Sequence, residues 1–130
     1  PERNHVKFHG LSHIEGVEGT ESDSGEKYTV AMNKLDDIPE LQSVSMPIAG
    51  IKIDVENYEY NVLEGAKNIL KQHKPVIYAE LWENQNRKDC IHLLKEIGYS
   101  PFVLNKGVLV IFDPAKHKTQ NFFFKIVPVA

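Results

Sequence analysis

The sequence predicts an α/β fold: a mostly parallel sheet that closes with a C-terminal antiparallel hairpin. Three observations carry this expectation. Apolar, strand-like runs at 48–55 and 75–82 flank an amphipathic helical segment at 58–72, and strand–helix–strand with short links implies parallel strands joined by a right-handed crossover. A second amphipathic segment, from Asn86 or Arg87 to Ile97, follows the second run. Then Phe102 to Leu104 and Val108 to Phe112 are joined through Asn105-Lys106-Gly107, residues that favour the tight turn of a hairpin.

Length and composition bound the rest. The 130 residues fit one domain, 1–130, and the hydrophobic fraction of 42% with 25% charged residues is that of an ordinary globular chain. A net charge of −3 supplies no basic footprint for nucleic acid or an anionic membrane. No apolar run approaches the roughly 20 residues of a membrane span. The opening PERNHVKFHG is polar and basic, without the pattern of a secretion signal. Cys90 is the one cysteine, so an internal disulfide framework and a cysteine zinc site are excluded and a reducing compartment, the cytoplasm, is expected.

Along the chain, Val6 to Leu11 is a short apolar run, and the stretch from Glu15 to Glu26, rich in Gly, Ser, Asp and Glu, reads as a loop. Tyr28 to Met32 suits a strand. Asp36 to Gln42 suits a short helix capped by Asp36 and weakened by Pro39. In the segment 58–72, Val62, Leu63, Ala66, Ile69 and Leu70 share one helical face. Asn57 stands where a cap is wanted, Lys71, His73 and Lys74 suit the negative end of the helix dipole, and Pro75 stops the helix. Ile91, Leu94 and Ile97 line one side of the next helix, and Gly98 suits its left-handed end. The tail from Asn121 to Val129 is aromatic enough to pack as a last strand or an ordered arm.

A parallel sheet covered on both faces is apolar throughout, and the strand at 48–55 departs from that in a patterned way. Ile51, Ile53 and Val55 point to one face while Lys52, Asp54 and Glu56 point to the other. The next strand places Glu80 near its carboxyl end. Ligands gather beyond the carboxyl ends of strands in open parallel sheets, so Asp54, Glu56 and Glu80 are candidate site residues, with Lys52 as counter-charge. A purely structural account stands beside this one: Lys52 and Glu80 as a bridging ion pair, and Asp54 or Glu56 as a cap on the following helix.

Ile51-Lys-Ile-Asp-Val-Glu56, then Glu59, Val62-Leu63, Gly65-Ala66, Pro75, Glu80 and Gly98-Tyr99, closely resembles the signature of FkbM-type methyltransferases. Lys34-Leu-Asp-Asp-Ile38 resembles the leucine-aspartate segment that precedes it, and the likeness covers roughly residues 4 to 112. The resemblance implies a partial Rossmann-like methyltransferase fold, S-adenosylmethionine as cofactor, and O-methyl transfer to a hydroxyl of a small-molecule or sugar acceptor. It implies that Asp54 meets the methionine part of the cofactor or the acceptor hydroxyl, and that Glu56 or Glu80 takes the acceptor's proton. Lys52, Asn57 and Tyr58 fall to acceptor binding. Two departures matter. Asn57 stands where the family has glycine, and no glycine-rich turn follows a buried strand. The chain therefore matches the C-terminal two-thirds of such a domain, and the expectation is that it binds cofactor poorly and turns over little by itself. The alternative is a non-catalytic α/β interaction module derived from that fold. In either case the strand at 48–55 would expose an open edge, which predicts a homodimer formed through that edge.

Other features take plain readings. His5, His9 and His13 recur every four residues, but Val6 and Phe8 favour a strand there, and no metal site is predicted. Cys90 reads as a buried structural thiol, and Phe122-Phe-Phe124 as an edge strand or a lid on the core. Tyr58, Tyr60 and Trp82 read as half-buried aromatics near the candidate site.

Overall fold

In a computed structural model, the structure describes the backbone at 4–9, 13–15 and 27–128, and side chains at 31–128. Of the loop expected at 15–26, Glu15 ends a strand and 16–26 lie outside the described residues, as do the side chains of His5, His9 and His13; the single strand expected to carry these histidines is instead two antiparallel strands, 4–9 and 13–15. Strands β1 (Asn4–His9), β2 (His13–Glu15) and β3 (Lys27–Met32) form an antiparallel sheet in the order β2-β1-β3.

The second sheet holds five strands: β4 (Gly50–Ile53), β5 (Val76–Glu80), β6 (Ser100–Asn105), β7 (Val108–Ile111) and β8 (Asn121–Lys125), in the order β4-β5-β8-β6-β7. Only β4 and β5 pair in parallel; β5 with β8, β8 with β6 and β6 with β7 are antiparallel. The expected mostly parallel sheet is thus corrected. The reason lies in β8, which enters between β5 and β6 and reverses both contacts. Since β6 opposes β8 and β8 opposes β5, the directions of β4, β5 and β6 still agree, as right-handed crossovers require. The hairpin forms as expected, with Lys106 (φ 50°) and Gly107 (φ 81°) as the two left-handed residues of its turn. It joins the sheet through β8, and Phe122 to Phe124 occupy an interior strand, not an edge or a lid.

One face of this sheet is the core. Ile53, Ile77, Ala79, Val103, Phe122 and Phe124 meet Leu63, Ala66, Leu70, Cys90, Leu93 and Leu94 from the helices. Those helices are α1 (Pro39–Gln42), α2 (Glu59–Glu64), α3 (Lys67–His73) and α4 (Gln85–Ile97). Phe122 packs edge-on to Phe112 at 4.9 Å. Cys90 is fully buried, as expected, and burial pushes its thiol up to about 12, with Glu59 and Asp89 adding to the rise. Tyr99, buried beside α4, donates to the Pro75 carbonyl at 2.7 Å.

Two local expectations change. The single helix at 58–72 is two: Gly65 ends α2, and its carbonyl accepts from the Asp36 amide at 2.9 Å. A Cβ at Gly65 would lie 3.2 Å from the Lys34 side chain, so glycine permits this close approach. Asp36 does not cap its own segment, where a 3-10 turn at Leu35–Asp37 precedes α1 with Pro39 in its first turn. Its carboxylate instead accepts from the Asn68 and Ile69 amides at 2.9 and 3.0 Å, capping α3 from outside. Downstream, α4 ends at Gly98 (φ 115°), as the sequence predicts. No helix among the described residues is long and apolar enough to cross a membrane.

Candidate functional site

The parallel pair β4–β5 sets the geometry. Lys52 lies opposite Tyr78 and Ile53 opposite Ala79. Alternation therefore puts Lys52, Asp54, Tyr78 and Glu80 on the face away from the core, with both carboxylates at the carboxyl ends of the two strands. Ile53 is buried whereas Lys52 and Asp54 are exposed, as the alternation predicts. On the same face, Tyr78 packs against Phe123 at 4.8 Å between ring centres and donates to Asn121 Oδ1 at 3.1 Å. Asn121 lies opposite Glu80.

The expected ion pair between Lys52 and Glu80 does not form. Among the described residues the ion pairs are His92–Glu96 and Lys116–Asp113, both on the surface. Lys52 is exposed, so its ammonium reaches water and needs no protein counter-charge. Neither Asp54 nor Glu56 caps α2, whose N-cap is Tyr58 with no side-chain bond, and Asn57 does not cap it either.

The turn after β4 is built by a residue the charge pattern alone does not single out. Glu59 is 2% exposed. Its Oε1 accepts from the Val55 and Asn57 amides at 3.4 and 3.3 Å, and its Oε2 accepts from Asn86 Nδ2 at 2.9 Å. This buried carboxylate closes the chain around Glu56 (φ 47°) and Asn57 (φ 74°), both left-handed. Asparagine tolerates that conformation, so the turn survives the replacement of glycine. Asn57 Oδ1 then accepts from Asn84 Nδ2 at 2.8 Å, tying the loop after β4 to the loop after β5. Asn84 also caps α4 through the Arg87 amide at 3.3 Å, and Asn86 Oδ1 accepts from the Tyr60 amide at 3.2 Å.

Arg87 anchors the loop after β5 from beneath. It is 7% exposed, donates Nη2 to the Leu81 carbonyl at 2.6 Å and to the Thr119 carbonyl at 3.3 Å, and lies 5.0 Å from the Phe122 ring centre. Burial lowers its pKa, and Glu83 opposes that shift. The structure thus brings together Lys52, Asp54 and Glu80 on one face, with Glu56, Asn57 and Tyr58 on the adjoining turn. Glu59, Asn84, Asn86 and Arg87 are the residues that hold the two loops. The signal for Glu59 was its place in the FkbM-type signature; Asn84 carried the general signal of an asparagine before a helix, and nothing local marks Arg87. A groove of about 580 Å³ opens along α4 between Asn84, Lys88, Ile91, Phe112 and His117, and Asp54, Glu56 and Glu80 do not line it.

Comparison with known proteins adds one match. Searches of curated proteins and of solved structures find no match. A family model described as the methyltransferase FkbM domain matches residues 3–106, and the chain belongs to that family.

Proposed function

We propose that the chain serves S-adenosylmethionine-dependent O-methylation of a hydroxyl on a small molecule or sugar. The observation that carries this reading is the convergence of Asp54 and Glu80 beyond the carboxyl ends of adjacent parallel strands, in a chain whose family transfers methyl groups. The agreement in direction of β4, β5 and β6 supports a Rossmann-like ancestry for the sheet. The donor set fits the cofactor's cationic end, since carboxylates are the side chains that attract a positive charge. When bound, the cofactor supplies the methyl group to be transferred.

This chain's residues supply position and proton removal, which dominate methyl transfer to oxygen. Asp54 orients the methionine end or the acceptor hydroxyl. Glu80 or Glu56 takes the hydroxyl proton. Lys52, Asn57 and Tyr58 line the approach, and Glu59 holds the turn that presents Glu56 and Asn57.

The test is transfer of labelled methyl from S-adenosylmethionine to a panel of hydroxylated small molecules and sugars. Slow transfer is expected, falling at least about 100-fold in Asp54→Asn and in Glu80→Gln, as loss of a positioned acid–base group entails. Transfer that both variants perform at the original rate would move the chemistry elsewhere.

A further inference from the structure

The groove along α4 is held open by the chain's own hydrogen bonds. Cys90, Leu93 and Leu94 turn α4 into the core, which leaves Ile91 half-buried on its flank. The other wall is the connection from β7 back to β8. Its first residue is pinned where the Phe112 amide donates to the Pro101 carbonyl at 3.0 Å, and its far end where Arg87 Nη2 reaches the Thr119 carbonyl at 3.3 Å. Between these ties the chain closes on itself: the His117 amide donates to the Asp113 carbonyl at 2.9 Å, and the Asp113 amide to His117 Nδ1 at 2.9 Å. The space of about 580 Å³ that remains is of the size that holds a small molecule.

The lining combines an apolar floor with a cationic rim. Ile91, Pro101, Phe112 and Pro114 supply the apolar surface. Lys88 and Lys95 are exposed on the α4 rim, two turns or about 10 Å apart along the helix. Neither has an ion-pair partner among the described residues. Arg87 adds a positive charge beneath them, and Glu83 is the one acid in the lining. The acids nearby are engaged with other groups: Asp89 accepts from Gln85 Nε2, Glu96 pairs with His92 and Asp113 with Lys116. In a chain of net charge −3 this is a local reversal of sign. On the opposite wall His117, whose Nδ1 accepts, carries its hydrogen on Nε2 and offers a donor.

We propose that this groove binds a small amphipathic carboxylate, with an acyl or aryl body on the floor of Ile91, Phe112 and the two prolines and its head group held by Lys88 and Lys95. The guanidinium fork of Arg87 is spent on the Leu81 and Thr119 carbonyls. That leaves two separate ammonium charges, which suit a singly charged head group better than the planar, bidentate grip used for phosphate. Asp54, Glu56 and Glu80 lie outside the groove, so the inference stands whether or not their face transfers methyl groups.

Titration of the nitrogen-15-labelled full chain with octanoate, below its micellar range, tests this through amide chemical shifts. The expected result is saturable binding with the largest shifts at Ile91, Lys95 and residues 112–117. Octanol keeps the apolar body without the charge, acetate keeps the charge without the body, and each binds at least about tenfold more weakly. The double variant Lys88→Glu with Lys95→Glu changes two exposed side chains and keeps the fold. It weakens octanoate at least about tenfold and strengthens octylammonium by a similar factor. Octanoate that fails to saturate, or shifts centred away from the groove, would overturn the proposal. So would octanol binding as tightly as octanoate, or a folded double variant that binds octanoate as the original chain does. Shifts at the same residues on concentrating the chain without octanoate would assign the groove to a second copy, and would overturn it as well.

Discussion

Phe122, Phe123 and Phe124 are consecutive residues of one strand and belong to two different surfaces. Phe122 and Phe124 are 0% and 1% exposed, packed under the helices, whereas Phe123 stands half-buried on the opposite face beside Tyr78. The first face is a continuous apolar layer against α2, α3 and α4. The second mixes Lys52, Tyr78, Glu80 and Asn121 with exposed apolar residues such as Val76 at 46% and Ile111 at 56%. The apolar core therefore lies on one side of the sheet and the charged side chains of β4 and β5 on the other. Chemistry that needs charge can sit on the second face without disturbing the first.

The sharpest way to break that division is truncation within β8. Phe122→Ala or Phe124→Ala removes a fully buried ring and is expected to cost about 3–5 kcal/mol, read from denaturant midpoints. Phe123→Ala loses one ring contact with Tyr78 and is expected to cost about 1 kcal/mol. Comparable losses at all three positions would mean that the second face is covered as tightly as the first.

The division into faces was legible in the sequence, and the neighbour relations were not. Alternation from Ile51 to Glu56 correctly placed Ile53 inside and Lys52 and Asp54 outside, because side-chain direction along a strand is a local property. Strand adjacency is set at long range. β8 lies more than forty residues beyond β5, and nothing in Asn121 to Lys125 says that it enters between β5 and β6. The break between α2 and α3 has a similar origin, since it depends on Lys34 and Asp36 docking at Gly65. At the candidate site, the carboxylates and Asn57 were readable from pattern and resemblance. Glu59 was visible only as a motif letter. A glutamate in the first turn of a helix ordinarily faces water, and its burial follows from Asn86, twenty-seven residues away.

Glu59 gives the second comparison, between the apolar core and the polar turn above it. Glu59→Ala leaves the Val55 and Asn57 amides and Asn86 Nδ2 without their acceptor, at a cost of about 2–3 kcal/mol. Glu59→Gln keeps one acceptor oxygen for the two amides but turns an NH₂ toward Asn86 Nδ2. Asn86 cannot rotate to suit without giving up its bond from the Tyr60 amide. The amide variant is expected to lose about half as much as the alanine variant by chemical denaturation. Equal losses would show that charge, not hydrogen-bond geometry, holds the turn.

The smallest effect is expected at Asn57, where two contributions oppose. Its left-handed backbone at φ 74° favours glycine, while its side chain accepts from Asn84 Nδ2 at 2.8 Å. Asn57→Gly relaxes the backbone and gives up the hydrogen bond, so stability is expected to change by less than about 1 kcal/mol. Asn57→Ala loses the hydrogen bond and keeps the strained conformation, and is expected to cost about 1–2 kcal/mol. Denaturant midpoints for the pair separate the two terms. If glycine costs as much as alanine, the turn is shaped by the link between the two loops. If glycine is neutral or stabilising, the left-handed backbone conformation decides, and the hydrogen bond to Asn84 adds no more than the strain it offsets.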